Sequence, residues 1–249
     1  MRLVLNNKYE MLREWLNRLP ETFYTQGEVI YDARNQIRRI VPCIVEWSEE
    51  EPLIVKRFHR PFFPNRVIYS CLREPKAARA YFNAVSLLQK GIATPEPIAF
   101  ILCGKHLLSE SYLITRESRL THLMREFTLD YRPELNDLIR PFARFTARMH
   151  DAGVLHLDYS PGNILWDKTG DGFLFEIIDI NRMRIGKKVT LQEGCRSMRR
   201  ICARTEFFKV FADEYAQARR YDPAETKRWI LHYRDRFWDK GRKAKYEYD

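Results

Sequence analysis

Four polar side chains between residues 156 and 179 have the types and the spacing that phosphoryl transfer from ATP requires. His156 and Asp158 form a His-x-Asp step, Asn163 follows the aspartate five residues later, and Asp179 ends an apolar run. One carboxylate can accept the proton of the attacking hydroxyl, while an amide oxygen and a second carboxylate can bind Mg²⁺. The pattern predicts Asp158 as the base, Asn163 and Asp179 as magnesium ligands, and His156 as a structural brace.

The sequence around these residues predicts a loop followed by a hairpin. Pro161 and Gly162 would bend the chain between the base and the amide. Residues 164–166 and 173–175 are predicted strands around a turn-rich loop at 167–172, and Asp179 would lie just past a buried strand. The alternative, a chance loop with a structural histidine and a turn aspartate, is disfavoured because three separate elements agree in order and context.

The segment HLDYSPGNILWD, together with IIDINRM, resembles the catalytic region of the bacterial lipopolysaccharide core kinases, within the protein-kinase-like superfamily. Three other segments are similar to the same family, namely residues 76–81, 91–99 and 143–154. The resemblance implies ATP and Mg²⁺ as cofactors, and a Kdo or heptose sugar of the inner core as acceptor. It also implies an α+β, bilobal protein-kinase-like fold, with a β-rich N-lobe (1–115), a mostly helical C-lobe (116–249) and a hinge near 116–118.

The resemblance assigns nucleotide binding to the first part of the chain. Lys56, inside the apolar run 52–58, resembles the strand lysine that holds nucleotide phosphates, although an edge-strand lysine facing water is the alternative. The acid that pairs with this lysine is expected on the helix predicted at 75–90, where relatives would place it at Phe82. That helix contains no acid, so Glu74 is the nearest candidate, and Glu117 in the hinge is a further nucleotide contact.

The predicted hairpin of residues 28–31 and 36–41 should cover the nucleotide, but its loop departs from the kinase pattern. The loop contains no glycine, whereas backbone cradling of phosphate is usually glycine-assisted. We therefore expect Arg34 or Asn35 to contact the phosphates. Four helices are also predicted, at 8–19 with an end at Pro20, and at 133–150, 206–218 and 223–240.

Composition places the protein in the cytoplasm. The 249-residue chain has five cysteines without metal-binding spacing, no apolar run long enough to span a membrane, and too short an N-terminal apolar stretch for a signal peptide. Its net charge of +10 favours anionic partners. We expect a core glycolipid as partner, peripheral contact with the inner membrane, and no nucleic acid, because no aromatic–basic recognition motif is present.

The positive charge is concentrated after Asp179. Residues 182–204 contain eight basic residues and one acid, Glu193. Arginine side chains match carboxylates and phosphates bidentately, so we expect this segment to face an anionic acceptor. Arg182 would orient the catalytic segment or the acceptor, and three further arginines would hold the glycolipid: Arg196, Arg199 and Arg200. Ordinary surface charge with internal pairing is the alternative.

Two other functions compete with a sugar kinase. An atypical Ser/Thr protein kinase, or a kinase of another small molecule, would use the same catalytic residues. Protein kinases commonly carry lysine two residues after the base, where this chain has Ser160, and no Ala-Pro-Glu follows Asp179. A pseudokinase or basic binding module is disfavoured because Asp158, Asn163, Asp179 and Lys56 are all present.

Overall fold

The computed structural model describes residues 1–33, 35–45, 47, 51–59, 74–104, 109–128 and 136–238. The chain divides into two compact units. The sheet unit comprises Met1–Gln89 and Thr94–Arg119, and the helical unit comprises Lys90–Ala93 and Leu120–Asp249. No helix within the described ranges is both long and apolar enough to cross a membrane.

In its described residues the sheet unit is built on six antiparallel strands, in the order β1-β5-β6-β4-β3-β2. The strand bounds are β1 Arg2–Leu5, β2 Glu28–Asp32, β3 Asn35–Ile40, β4 Leu53–Phe58, β5 Pro97–Leu102 and β6 Ser111–Arg116. The predicted strands at 28–31, 36–41 and 52–58 are present with small shifts at their ends. Strands β1 and β5 were not predicted, although β5 is almost entirely buried.

Strand β4 shows why both faces of this sheet are covered. Side chains alternate along a strand, and Leu53 and Val55 belong to a core with the N-terminal helix, whereas Phe58 belongs to a second core. That second core includes Ala77, Ala78 and Tyr81 of α2 (Lys76–Gln89). By the same alternation, Lys56 lies on the α2 side of the sheet.

The predicted end of the N-terminal helix at Pro20 is wrong. A 3₁₀ turn at Asn7–Leu12 leads into α1, Arg13–Thr22, and Pro20 lies inside that helix. An interior proline removes one helical hydrogen bond, at a cost of about 3 kcal/mol. Phe23, just beyond the helix, is fully buried and packs edge-on against Tyr112, with ring centroids 5.4 Å apart. The free energy gained by burying this side chain offsets much of the cost of the proline.

The helical unit contains four α-helices and five short strands in the described residues. The helices are α3 Asn136–Asp151, α4 Leu191–Ser197, α5 Thr205–Arg219 and α6 Pro223–Trp238. The strands are β7 His122–Leu123, β8 Val154–His156, β9 Ile164–Thr169, β10 Gly172–Ile177 and β11 Met183–Ile185. Helices α3 and α5 pack through aromatic side chains; Phe142 and Phe211, for example, lie 5.6 Å apart between ring centroids.

The hairpin after the catalytic loop is longer than predicted. Strands β9 and β10 pair along their full length, with Ile164 opposite Ile177 at one end and Thr169 opposite Gly172 at the other. The loop expected at 167–172 is therefore mostly strand. Gly172 has a φ of 131°, a conformation that glycine adopts readily, and this permits a tight turn. The polar residues that suggested a long loop occupy exposed ends of the two strands. Helix α4 and strands β8 and β11, which flank the site, were not predicted.

Candidate active site

The catalytic loop starts from the end of β8. Strand β8 pairs with β11, His156 lying opposite Met183, and the Leu157 N–H donates to the Arg182 carbonyl at 2.9 Å. These bonds fasten the chain before Asp158 to the chain after Asp179. The two acidic residues, 21 positions apart in sequence, are thereby joined through one small sheet.

His156 adds a side-chain link to the same two segments. Its imidazole is fully buried, its Nε2 lies 3.2 Å from the Ile178 carbonyl, and its Nδ1 lies 3.1 Å from the backbone nitrogen of Asp158. Because Nδ1 must accept from that N–H, the proton of the neutral ring is on Nε2. Burial lowers the pKa of His156 and favours this neutral form.

Tyr159 anchors the loop to helix α3. The side chain is buried, and its hydroxyl lies 2.9 Å from Thr146 Oγ1. Burial raises the pKa of Tyr159, so the phenol stays protonated. Asp158 itself is partly exposed, between the exposed Leu157 and the buried Tyr159.

Asn163 is positioned by a 3₁₀ turn, Pro161–Asn163. Its side-chain Nδ2 donates to the Asp158 carbonyl at 3.0 Å, and its own carbonyl accepts from the Ile178 N–H at 3.0 Å. Because the amide nitrogen is committed to Asp158, the amide oxygen is the atom that could bind a metal. Asp158, Asn163 and the segment before Asp179 therefore form one hydrogen-bonded unit.

Asp179 has an unusual backbone conformation. Its φ is +53°, in the left-handed region that aspartate tolerates better than most residues. The Asn181 side chain donates to Asp179 Oδ1 at 2.6 Å. Conformations of this kind concentrate at functional sites, where they aim a side chain that ordinary strand geometry would not.

The oxygen atoms of Asn163 and Asp179 suit magnesium better than a structural metal whose ligands all come from the protein. Within the described residues, no three His, Cys, Asp or Glu side chains cluster closely enough to hold a metal ion. Mg²⁺ usually takes one or two carboxylates and completes its shell with substrate phosphates and water. The Asp179 carboxylate and the Asn163 amide oxygen fit that requirement.

The four arginines predicted to bind substrate fall into different environments. Arg182 and Arg196 are exposed. Arg199 donates to the Arg196 carbonyl at 2.7 Å. Arg200 forms an ion pair with Asp158, from its Nη1 to Asp158 Oδ1. The predicted base and one predicted glycolipid ligand are thus in direct contact, although they are 42 positions apart in the sequence.

The predicted nucleotide contacts belong to the sheet unit. Lys56 lies in the middle of β4, with its Nζ 5.4 Å from the ring centroid of Phe58. Asn35 begins β3 opposite Phe58, and Arg34 lies outside the described residues. Glu74 is exposed, two residues before α2 begins.

Glu117 and Phe82 both make contacts within the sheet unit. Glu117 accepts from Arg39 Nε at 2.9 and 3.0 Å, so its carboxylate is engaged within the sheet unit. Phe82, at the place where relatives would carry an acid, packs against Tyr81 and Phe100 with ring centroids 5.5 and 5.7 Å away. An aromatic contact occupies the position where an ion pair was expected.

Sequence reasoning missed two supports of the site. Thr190 and Glu193 form a reciprocal capping box at the start of α4, and Glu193 also binds Arg184 at 2.7 Å. The T-x-x-E spacing was a readable signal. The second support is the contact of Phe237 with the arginine pair 199–200, for which the sequence offers no signal because the residues are so far apart.

Comparisons with known proteins bear on the fold. A solved structure of WaaP in complex with acyl carrier protein matches with a TM-score of 0.63 and 20% identity, covering 96% of this chain and 99% of that chain. A Rio2 kinase structure from Chaetomium thermophilum matches with a TM-score of 0.49 and 14% identity, covering 96% and 74%. No curated protein matches the chain significantly. The predicted α+β, protein-kinase-like fold is confirmed.

The sequence profile of the lipopolysaccharide kinase (Kdo/WaaP) family matches residues 24–200. That range contains the catalytic loop, the segment at Asp179 and strand β4. The chain is therefore a kinase, and it belongs to the lipopolysaccharide kinase (Kdo/WaaP) family.

Proposed function

We propose that this kinase transfers the terminal phosphoryl group of ATP to a hydroxyl of a Kdo or heptose sugar in the lipopolysaccharide inner core. The observation that carries the proposal is the hydrogen-bonded unit of Asp158, Asn163, His156 and Ile178, which links the proposed base to the segments that carry the two proposed metal ligands. The family match supports lipopolysaccharide as the substrate class.

In this mechanism Asp158 accepts the proton of the sugar hydroxyl as its oxygen attacks the terminal phosphorus. A new phosphorus–oxygen bond forms to the sugar, and the bond to the leaving ADP oxygen breaks. Magnesium, held by Asn163 and Asp179, would neutralise the charge of the phosphates. His156 keeps the loop of Asp158 in register with the Asp179 segment, through its bonds to both.

The sheet unit supplies nucleotide contacts in this proposal. Lys56 would hold ATP phosphates, assisted by Arg34 or Asn35, with Glu74 as the acidic partner of the lysine. Glu117 would contact the nucleotide from the proposed hinge. Its bond to Arg39 supports a fixed carboxylate at that position. The functional lobes proposed are residues 1–115 and 116–249.

The exposed arginines provide the acceptor side. Arg182 and Arg196 are solvent-accessible, and Arg199 lies beside them in a segment with a single acid. Core sugars carry carboxylates and phosphates, which arginine recognises bidentately. Each basic side chain near an anionic membrane contributes about 1 kcal/mol, which supports peripheral action at the cytoplasmic face of the inner membrane.

The test is a phosphorylation assay with defined acceptors. Purified protein, ATP and Mg²⁺ are incubated with lipid A that carries Kdo alone or Kdo with heptose, and with a mixture of Ser/Thr peptides. Mass spectrometry should show addition of one phosphate to a core sugar, with no product from the Asp158→Asn variant. Phosphate on the peptides, with none on either glycolipid, would establish a protein kinase instead.

A further inference from the structure

The ion pair between Arg200 and Asp158 carries an inference about how the base is held. We infer that Arg200 is a positioning residue for phosphoryl transfer, fixing the Asp158 carboxylate, and that it is not a ligand of the glycolipid. The inference deepens the proposed function and rests on Asp158 being the base. It changes the role that sequence analysis predicted for Arg200.

The contact joins two segments that are 42 positions apart in sequence. Arg200 Nη1 bonds Asp158 Oδ1, and the two side chains are 29% and 33% exposed. Both charges are therefore partly shielded from water, where a charge-assisted hydrogen bond contributes more than at an open surface. With Oδ1 engaged by the guanidinium, Oδ2 is the oxygen available for the proton of the acceptor hydroxyl.

Arg200 is held in place by the C-terminal helix. Its guanidinium carbon lies 5.5 Å from the ring centroid of Phe237, and the Trp238 indole N–H donates to the Arg199 carbonyl at 3.0 Å. Phe237 and Trp238 are 5% and 1% exposed. A long side chain packed on a buried ring loses little further freedom on binding Asp158, so the pair is preorganised. The aromatic anchor lies beyond residue 200, where the family match ends.

The neighbouring arginines are directed elsewhere. Arg199 bonds the Arg196 carbonyl at 2.7 Å, and Arg196 is exposed. Arg200, in contrast, forms its ion pair with Asp158. Within the charge-rich segment, Arg196 is exposed, Arg184 pairs with Glu193, and Arg200 is directed at Asp158.

Arg200 also supplies a cation that the catalytic loop lacks. Ser160 stands two residues after the base, where protein kinases commonly have lysine. The guanidinium bonds the Asp158 carboxylate from a different segment of the chain. An arginine anchored on α6 can therefore orient the base from outside the catalytic loop, a role that the uncharged Ser160 hydroxyl does not perform.

The test measures kcat and KM for three variants, Arg200→Ala, Arg200→Met and Arg200→Lys, on the core glycolipid. Loss of a charge-assisted hydrogen bond should lower kcat about 10–100-fold, with KM for ATP and glycolipid unchanged. Lysine should restore part of the rate, and guanidinium ion added to Arg200→Ala should restore part as well. The Asp158→Asn/Arg200→Ala double variant should be no slower than Asp158→Asn alone.

Arg140→Ala is the matched control. Arg140 is also an ion-paired arginine of the helical unit, bound to Glu214 at 3.2 Å, and it lies outside the catalytic machinery. Its kcat should equal that of the wild type. A raised KM for glycolipid with normal kcat in the Arg200 variants would place Arg200 among the glycolipid ligands and overturn the inference. Unchanged kinetics, or loss of the folded state in all three variants, would also overturn it.

ATP hydrolysis separates this inference from the proposed function. Water then replaces the sugar hydroxyl, and the same base is used. A wild type that hydrolyses ATP but phosphorylates no core sugar would refute the proposed acceptor. In that case the Arg200 variants should still show the 10–100-fold loss in hydrolysis, about the value of one charge-assisted bond, and normal hydrolysis would refute the positioning role.

Discussion

The Nε2 atom of His156 lies 3.2 Å from the carbonyl oxygen of Ile178, so one buried imidazole joins the loop of Asp158 to the residue before Asp179. A second buried histidine, His150, lies between the Tyr215 hydroxyl at 2.7 Å and the Ser197 hydroxyl at 3.4 Å. Both rings are neutral inside the folded protein. Each therefore links the stability of the helical unit to pH.

Stability should fall as the pH is lowered through the ordinary titration range of histidine. Burial, with smaller contributions from Arg219 and Arg184, lowers the pKa of His150 to about 3, and burial lowers the pKa of His156. Below the ordinary pKa of 6.5, histidine binds a proton in the unfolded chain but stays neutral in the folded protein. The stabilisation of the folded state is therefore fully present above pH 6.5 and is lost towards lower pH. His150 should remove about 1.4 kcal/mol per pH unit over this range, and His156 should add to the loss.

Urea unfolding from about pH 7.5 to about pH 5 checks this dependence, with His150→Asn as the informative variant. Over most of that range Glu193, whose pKa the Arg184 guanidinium lowers from 4.5 to about 2, is mainly ionised in both states. The variant should be less stable at neutral pH but should show a shallower slope. His232→Asn, which changes an exposed histidine, should keep the wild-type slope. An identical slope in His150→Asn would show that His150 does not titrate on unfolding.

Gly194→Ala should destabilise the protein, opposite to the usual effect in a helix. Alanine normally stabilises a helix by about 1 kcal/mol relative to glycine. At Gly194 in α4, however, a Cβ would lie 2.5 Å from the Tyr215 hydroxyl and 3.1 Å from His150 Nδ1. Overpacking of this kind costs about 1–3 kcal/mol. Gly170→Ala, with no atom within 4 Å, should change the free energy of unfolding little; a stabilised Gly194→Ala would contradict the described packing.

The glycolipid surface is tested by charge reversal at the two exposed arginines. Arg182→Glu and Arg196→Glu should raise KM for the core glycolipid several-fold, because each replaces an attraction of about 1 kcal/mol near an anionic surface with a repulsion. ATP binding should stay intact. Lys209→Glu, an exposed site on α5, is the control. If KM and its salt dependence were the same in all three proteins, the arginines would be ordinary surface residues.

The metal assignment predicts a specific binding defect. Asp179→Asn replaces the one proposed carboxylate ligand, so ATP affinity measured calorimetrically should fall in the presence of Mg²⁺ and change little in its absence. Asp171→Asn removes an equal charge at the exposed turn of the β9–β10 hairpin, at the opposite end of β10 from Asp179, and should bind ATP normally. Equal Mg²⁺-dependent affinity in Asp179→Asn and the wild type would remove Asp179 from the metal site.

The fold class was predicted through the resemblance to the kinase family, and the catalytic loop was predictable because its signals are local. Asp158 and Asn163 lie on one loop, and Asp179 follows a strand that its own apolar run marks. The positioning of Arg200 was not predictable, since it depends on Phe237 and on Asp158, each far away in sequence. The helix end at Pro20 was misjudged because the local cost of proline is offset by burial of Phe23 in the sheet unit.

The most direct test of the account is the single-turnover rate of phosphoryl transfer to the core sugar in Asp158→Asn, compared with the wild type at saturating ATP and glycolipid. Asparagine keeps the shape of the side chain but cannot accept the hydroxyl proton. We predict a rate about 10²–10⁴-fold lower, with ATP binding unchanged. A rate close to that of the wild type would contradict the assignment of Asp158 as the base, and with it the mechanism proposed for this kinase.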